Sequence, residues 1–174
     1  MKVTFRLARK SDIRAYTDLL QRTYAATFLK PKIGLTKECF SKEVFATSHT
    51  QAYLKSNLKQ SARQKTWLAI SKGKPVGAVT IEKKARVYDL RGFYVAPEHQ
   101  GEGIGKHLWK LVKQFATDKP ITLYTYAHNK QTIAVYKKWG FTIDKPSGSI
   151  WSHWPEWPKD VRAKRTYMRR ERDQ

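Results

Sequence analysis

Residues 95–105 read Val-Ala-Pro-Glu-His-Gln-Gly-Glu-Gly-Ile-Gly and connect a predicted strand to a predicted helix. The strand runs from Val87 to Val95, and apolar residues at helical spacing predict a helix from Ile104 to Phe115. The three glycines stand at the start of this helix, where the first N–H groups have no intrahelical partner and can bind an anion. The sequence therefore predicts a phosphate-binding loop, and a glycine-rich turn that only starts a helix is the alternative.

Two better-known phosphate-binding loops do not match this segment. A Walker loop requires a glycine where Gln100 stands and a Ser or Thr where His107 follows Lys106. The dinucleotide fingerprint Gly-x-Gly-x-x-Gly requires its third glycine at Lys106 or at Leu108, depending on which glycine starts it. The sequence therefore argues against a nucleotide triphosphatase and against a dinucleotide-binding loop.

Two motifs in the chain resemble those of a known family. Gln100-x-x-Gly103-x-Gly105, after a strand that ends Phe-Tyr-Val-Ala-Pro at residues 93–97, resembles the acetyl-CoA loop of the GNAT N-acetyltransferase superfamily. A second segment is similar to that family's later motif and reads His128-Asn129, then Tyr136, then Gly140-Phe141. The two motifs in this order are more specific than either alone, and the resemblance covers roughly residues 65–143.

The resemblance implies one α/β domain over residues 1–174, with a mixed, mostly antiparallel sheet of about seven strands flanked by about four helices. In this family the sheet is splayed between its fourth and fifth strands, and acetyl-CoA lies in the gap. Hydrophobic periodicity agrees, and it predicts further strands at Val3 to Leu7, Thr66 to Ser71, Val76 to Lys83, Ile121 to Tyr126, Phe141 to Ile143 and Lys164 to Arg169. Further helices are predicted from a Ser11 cap through Tyr24, within residues 36–62, and from Lys130 to Trp139.

The resemblance also implies which residues bind the cofactor. Backbone groups of Phe93 and Val95 are expected to hydrogen-bond the pantetheine arm of acetyl-CoA as if it were another strand. Asn129 is expected to cap the next helix and to be available to the same arm, although capping alone also explains an asparagine there. Gly92 predicts a bulge or a close backbone approach, and a correction of strand twist is the alternative. The phosphate-binding loop is expected to comprise Gln100, Gly101, Glu102, Gly103, Ile104, Gly105 and Lys106, mainly through main-chain N–H groups.

Two catalytic roles follow from the resemblance. Tyr136 is expected to donate a proton to the departing CoA sulfur, since a phenol with a pKa of about 10 stays protonated at neutral pH. A base would help to deprotonate the acceptor amine, and Asp89 occupies a position similar to that of a strand-four glutamate that acts through water in histone-modifying members. Glu82 is the second candidate base, and water alone is a third. The alternatives are a core role for Tyr136 and a salt bridge from Asp89 to Arg86 or Arg91.

The charge of the chain implies an anionic partner beyond the cofactor. The 174 residues carry a formal net charge of +21, whereas about 2 to 8 is usual for a small soluble domain. The few phosphates of CoA do not account for this excess. A nucleic acid or ribosomal surface would, so a basic binding module on the same fold with weak or no turnover is the alternative function. A solvated basic surface is the simpler explanation.

The acceptor is predicted only as a primary amine of an unidentified small molecule or protein. In this family its pocket is walled by the first loop and helix pair, here Tyr24, Phe28 and residues 29–35, and by the last hairpin. That hairpin contains residues 147–158, with three tryptophans among prolines. They predict an aromatic wall over a cationic or apolar substrate, a surface that pairs two chains, or a plug on the sheet edge.

The cysteines, the histidines and the N-terminal residues indicate the cellular location of the protein and whether it has disulfides or a metal site. Cys39 is the single cysteine, no apolar run follows the charged N-terminus, and the five histidines lack ligand spacing. These features predict a cytoplasmic protein without a disulfide framework, a membrane span or a metal site. The protein is expected to be either a monomer or a homodimer.

Overall fold

A computed structural model describes residues 2–145 and 150–172, in which the chain forms a mixed sheet and five α-helices. The strands are β1 (Val3–Leu7), β2 (Gln64–Ser71), β3 (Lys74–Lys83), β4 (Tyr88–Val95), β5 (Ile121–Tyr126), β6 (Thr142–Ile143), β7 (Trp151–Ser152) and β8 (Ala163–Arg170). The helices are α1 (Ile13–Thr27), α2 (Lys42–Ala46), α3 (Ser48–Asn57), α4 (Ile104–Phe115) and α5 (Lys130–Lys138). The predicted α/β class is confirmed. The described residues form eight strands where about seven were expected, and the two-residue β7 is the additional one. They form five α-helices where about four were expected, because residues 36–62 contain two.

The sheet has the order β1-β2-β3-β4-β5-β8-β6, and β7 pairs with β8. All of its pairings are antiparallel except that of β4 with β5. These two strands pair at only two positions, Tyr88 with Ile121 and Asp89 with Thr122. Beyond them β4 stays paired with β3 up to Val95, while β5 stays paired with β8 up to Tyr126. The predicted splay between the fourth and fifth strands is therefore confirmed.

Helices cover both faces of β3 and so enclose the core. A Cβ on Gly77 would lie 3.0 Å from Ile104 and 3.2 Å from Leu108, so this residue faces α4. Thr80 is three positions further along the strand, and its side chain interacts with that of Tyr16 in α1. Because strand residues alternate between the two faces, α1 and α4 lie on opposite sides of the sheet.

The predicted Ser11 cap is wrong. Ser11 lies inside a 3₁₀ turn, Lys10–Asp12, and α1 begins at Ile13 without a side-chain cap. The carboxylate of Asp12 instead accepts two hydrogen bonds of 2.8 Å from Arg6 and one of 2.7 Å from the Arg9 N–H. The chain entering α1 is thus fixed by an ion pair to β1, which local propensity does not reveal.

Within the described ranges, no helix combines the length and apolarity that crossing a bilayer requires. The same residues contain no cluster of three or more His, Cys, Asp or Glu side chains suited to a metal ion.

Candidate active site

The edge of β4 supplies free backbone groups where the sheet opens. The Ala96 N–H donates to the Val76 carbonyl of β3 at 2.9 Å. Because N–H groups alternate in direction along a strand, those of Phe93 and Val95 point away from β3, into the gap that β5 leaves. The two residues predicted to hold an extended ligand therefore present backbone donors to the gap.

A bulge in β4 precedes the residues whose backbone N–H groups point into the gap. The register shifts so that Thr80 opposes Gly92 and Ile81 opposes Leu90, which leaves Arg91 as the extra residue. A Cβ on Gly92 would lie 2.6 Å from a ring carbon of Tyr94, closer than side-chain atoms pack. The predicted bulge at Gly92 is confirmed, whereas the atoms that come close to this residue belong to a side chain of the same strand and not to a neighbouring backbone.

The glycine-rich loop leads directly into α4. Gly101 and Gly103 have φ of +85° and +81°, the left-handed region that favours glycine. Gly103 is the residue before the helix, and no side chain caps the first N–H groups of α4. A Cβ on either glycine would meet nothing within 4 Å. The loop thus leaves open space beside uncapped N–H groups, which is the arrangement that binds phosphate.

These elements surround one cavity of about 640 Å³, a volume typical of small-ligand sites. Most of the predicted cofactor-binding and catalytic residues line it. They are Phe93, Val95, Gln100, Gly101, Ile104, Gly105, Asn129 and Tyr136. Gly103, Lys106 and Asp89 are not in the lining, although the first two belong to the same loop. The fold therefore brings the two sequence motifs together across the β4–β5 gap.

Asn129 has an unused donor at the cavity. Its side-chain oxygen accepts a hydrogen bond of 3.2 Å from the Thr132 N–H, which confirms the predicted cap of α5. Its amide nitrogen is buried and has no hydrogen-bond partner among the described residues. A buried donor without a partner is costly, so this nitrogen fits a carbonyl of a bound pantetheine arm.

Tyr136 lies in the cavity wall with only 7% of its surface exposed. Its ring packs edge-on against those of Phe141 and Trp139, with centroids 5.6 and 5.9 Å away and interplanar angles of 61° and 71°. Burial raises the pKa of the Tyr136 hydroxyl well above its ordinary value. The hydroxyl therefore stays protonated across the neutral range, as the predicted role of proton donor requires.

The two candidate bases lie behind the cavity. Asp89 is at the closed end of the gap, where β4 and β5 still pair, and opposes Glu82 of β3. Burial raises the pKa of Asp89, although the positive charges of Lys84 and Arg91 act to lower it. Glu82 bonds Lys84 at 2.7 Å and Arg91 at 3.4 Å. Neither carboxylate lines the cavity, so either would reach a ligand only through water.

The opposite half of the cavity has an aromatic wall, formed by Tyr24, Phe28, Tyr94, Tyr126 and Trp154. The hydroxyls of Tyr24 and Tyr94 lie 3.0 Å apart, and the ring of Tyr24 packs edge-on against Trp154. Phe28 packs edge-on against Tyr126 with centroids 4.8 Å apart. Tyr24 and Phe28 are thus where the resemblance places them, whereas residues 29–35 do not line the cavity.

The tryptophan-rich segment is divided among several roles. Residues 147–149 lie outside the described ranges, and the remainder places three tryptophans in different settings. Trp154 lines the cavity, while Trp157 is buried against Phe40 and donates to the Cys39 carbonyl at 3.2 Å. Trp151 is about half exposed on β7. The segment is therefore both a cavity wall and a core plug.

Glu156 anchors this segment to the start of α3. Its carboxylate accepts hydrogen bonds from the hydroxyls of Thr47, at 2.6 Å, and Thr50, at 3.3 Å. His49 lies 3.2 Å from the same oxygen. Burial alone would raise the pKa of Glu156, but the bonds from Thr47, the main chain and His49 hold it below its ordinary value. These contacts fix Glu156, and with it Trp154 two residues earlier, which lines the cavity.

Sequence reasoning missed two cationic residues in the cavity lining, Arg91 and Arg165. Arg91 donates to the Gln64 side chain at 2.9 Å as well as to Glu82. The guanidinium of Arg165, on β8, lies over the ring of Tyr124 at 4.2 Å from its centroid. Alternation along β8 puts Arg165 and Tyr167 on one face, but of these two residues only Arg165 lines the cavity, which the sequence alone does not show.

Comparison with known proteins identifies the family of this chain. A model of the Acetyltransferase (GNAT) family matches residues 33–141, more than half of the chain. The chain therefore belongs to the GNAT acetyltransferase family, whose acetyl donor is acetyl-CoA. A search of curated proteins finds no significant match.

Solved structures share the fold at low sequence identity. PaiA N-acetyltransferase from Thermoplasma acidophilum, solved with coenzyme A, superposes with a TM-score of 0.75 at 16% identity, covering 98% of this chain and 99% of that one. The ribosomal-protein-S18-alanine N-acetyltransferase from Escherichia coli gives 0.70 at 17% identity, covering 99% and 96%. A GNAT-family acetyltransferase from Streptococcus pneumoniae gives 0.67 at 21% identity, covering 99% and 100%. At these identities the likeness concerns the fold.

Proposed function

We propose that this protein is an N-acetyltransferase that passes the acetyl group of acetyl-CoA directly to a primary amine while both substrates are bound. The observation that carries the proposal is the placement of Tyr136 in the wall of a cavity that also contains the β4 edge and the glycine-rich loop. The loop would bind the diphosphate, and the backbone of Phe93 and Val95 would bind the arm. The thioester would then lie within the cavity near the phenol.

The proposed reaction requires one proton to be donated to the leaving sulfur and one to be removed from the amine, and a group is available for each transfer. The acceptor nitrogen forms a bond to the acetyl carbon as the carbon–sulfur bond breaks. The hydroxyl of Tyr136 supplies the proton that the thiolate takes up, and the resulting phenolate regains a proton from water. The amine gives up a proton to water, with Asp89 as the base behind that water. Backbone N–H groups of β4 are suited to stabilise the negative charge that develops on the acetyl oxygen.

Direct transfer is supported by the position of the chain's one thiol. Cys39 is buried in the core, and its sulfur lies 3.5 Å from the Gly34 carbonyl oxygen. It is not among the described residues that line the cavity, so it is not placed to form an acyl-enzyme. A cytoplasmic location is part of this proposal, since a chain with one cysteine has no disulfide framework of its own.

Thiol release from acetyl-CoA in the presence of an amine panel tests the proposal. Tyr136→Phe is expected to lower kcat by at least about 100-fold, the smaller end of what a general acid contributes, with little change in the Kd of acetyl-CoA. Tyr167→Phe is the matched control, because Tyr167 lies on β8 outside the cavity lining, and we expect near-normal turnover.

Three results would count against the proposal in different ways. Unchanged turnover in Tyr136→Phe would remove the role of this tyrosine. Absence of both acetyl-CoA binding and thiol release with every amine would reject the enzyme itself. RNA binding that weakens steeply with salt, without any turnover, would favour the basic binding module instead.

A further inference from the structure

The exposure of the rings in the aromatic wall shows which of them a ligand would contact. Tyr24, Tyr94 and Tyr126 are at most 9% exposed, so they form the buried part of the wall. Phe28 and Trp154 are only half-buried, and both line the cavity. These two rings therefore supply most of the exposed surface of the wall.

Both of these rings pack against the ring of Tyr24. The planes of Phe28 and Trp154 are inclined to that of Tyr24 by 75° and 70°, with centroids 4.8 and 6.2 Å away. Aromatic rings prefer this edge-to-face arrangement, at centroid distances of about 4.5 to 7 Å. An aromatic ring of a bound molecule can extend the cluster in the same way by packing against Phe28 and Trp154.

The polar atoms of the wall interact with one another, and no carboxylate accompanies them. The hydroxyls of Tyr24 and Tyr94 lie 3.0 Å apart, and that of Tyr126 interacts with the side chains of Ser152 and Trp154. Among the described residues that line the cavity, none is an aspartate or a glutamate. Because a charge taken out of water requires a partner, the wall fits an uncharged apolar group better than the chain of a polyamine.

Hydrogen bonds outside the wall hold both exposed rings in position. The Phe28 N–H donates to the Tyr24 carbonyl at 3.0 Å, and the Phe28 carbonyl lies 3.3 Å from Nε2 of His128. Trp154 is two residues before Glu156, whose carboxylate anchors this segment to the start of α3. Since a preformed surface loses little conformational freedom on binding, the wall is suited to select among ligands.

We propose that the acceptor is a small primary amine that carries an aromatic ring, and that Phe28 and Trp154 bind this ring. Packing of the ring against the wall directs the amine toward the thioester, so the two residues determine specificity through binding. This inference rests on the proposed acetyltransferase function and narrows its substrate class.

Amines that differ only in the group attached to the amine-bearing chain test the inference. The kcat/KM of each is measured by thiol release and expressed per neutral amine, so that differences in basicity do not enter. Phenethylamine is compared with propylamine, which has no ring, and with 2-cyclohexylethylamine, whose ring is not aromatic. We expect phenethylamine to be preferred by at least about 10-fold over propylamine, as an apolar pocket discriminates. We expect about 3-fold over 2-cyclohexylethylamine, because aromatic pairs gain more than their buried area.

Variants of the wall separate recognition of the ring from general effects on folding. Phe28→Leu and Trp154→Leu keep an apolar side chain, and each should lower the preference for phenethylamine over propylamine by about 3-fold or more, as expected from the loss of an aromatic pair. The change should appear in KM, with the Kd of acetyl-CoA unchanged. Phe115→Leu and Trp67→Leu are the matched controls, because these half-buried rings pack against each other outside the cavity lining. Equal loss of the preference in the controls would overturn the inference.

Calorimetric titration of the CoA-bound protein distinguishes this inference from the proposed function. Phenethylamine should bind more tightly than propylamine, and Phe28→Leu should weaken its binding. Such binding without thiol release would reject the acetyltransferase function and leave the aromatic-amine site standing. Turnover that is equal or faster with propylamine, 2-cyclohexylethylamine, spermidine or a peptide N-terminus would overturn the inference and leave the acetyltransferase function standing. Absence of acetyl-CoA binding, of amine binding and of thiol release would overturn both.

Discussion

At the scale of single residues, Gly92 shows how closely the site depends on one missing side chain. The ring of Tyr94 occupies the space that a Cβ at Gly92 would need, and its hydroxyl lies 3.0 Å from that of Tyr24 in the aromatic wall. The bulge, the position of Tyr94 and the shape of the wall are therefore linked. A glycine in a strand interior, which usually weakens a strand, is here a condition for the cavity.

Gly92→Ala should lower the free energy of unfolding by about 1 to 3 kcal/mol, the usual cost of overpacking, because Tyr94 must move. Urea denaturation measures this change. Gly105→Ala is the control, since its Cβ would make only an ordinary contact of 3.8 Å with Phe93. That variant should unfold with unchanged or slightly higher free energy, in line with helix propensity. Equal destabilisation of both variants would contradict the account.

At the scale of elements, the connection between β4 and α4 combines a left-handed backbone with the proposed binding of the cofactor. Gly101 and Gly73 offer a comparison of the two effects. Gly73, in the turn between β2 and β3, has φ of +74°, and a Cβ there would also meet nothing within 4 Å. The two glycines thus share a left-handed backbone and open surroundings, but only Gly101 lines the cavity.

Gly101→Ala and Gly73→Ala should each lower the free energy of unfolding by about 1 kcal/mol, because alanine is strained at positive φ. Only Gly101→Ala should weaken CoA binding, by about 10-fold or more, as one charge-assisted hydrogen bond is worth about 1.5 to 3 kcal/mol. Calorimetric titration with CoA checks this difference. Similar Kd values for the two variants would show that the loop does not bind the cofactor.

The elements also show why the sequence predicted the part of the cavity proposed to bind acetyl-CoA (the donor half) better than the part proposed to bind the amine (the acceptor half). The donor half is local, since a strand end, three glycines and a helix start occur within residues 95–105. Tyr136 and Asn129 are similarly fixed by one helix. Arg165 and Trp154 reach the cavity only through the pairing of β8 with β5 and the anchor at Glu156, which join distant parts of the chain.

Asp89 illustrates a further limit of predicting the site from the sequence. Its position in the motif predicted a base, but the narrow end of the gap, where β4 still pairs with β5, places it outside the cavity lining. Its role as a base through water stays a prediction. The Ser11 cap was wrong for a related reason, because the Arg6–Asp12 ion pair is a contact between elements.

At the scale of the whole molecule, buried phenols make folding sensitive to alkaline pH. Burial is the main cause that raises the pKa of six tyrosines, which are Tyr16, Tyr24, Tyr88, Tyr94, Tyr126 and Tyr136. For Tyr126 the pKa rises to about 12. Their stabilising effect is complete below a pH of about 10, the unfolded pKa, and is lost as the pH rises further, because only the unfolded chain ionises.

The free energy of unfolding should therefore fall above a pH of about 10, by about 1.4 kcal/mol per pH unit for each tyrosine that ionises only in the unfolded chain. Lysines titrate in the same range, so the sharp comparison is between the wild type and Tyr136→Phe. The variant should show a slope smaller by about 1.4 kcal/mol per unit. Identical slopes would mean that Tyr136 ionises in the folded protein and is not enclosed as described.

Amide hydrogen exchange with and without CoA tests the central claim most directly, namely that the β4 edge and the loop before α4 bind the acetyl donor. The account predicts slower exchange at Phe93, Val95, Gly101, Gly103 and Gly105 when CoA is added, with no change in the turn at Gly73. Protection centred elsewhere, or no protection anywhere at millimolar CoA, would contradict it.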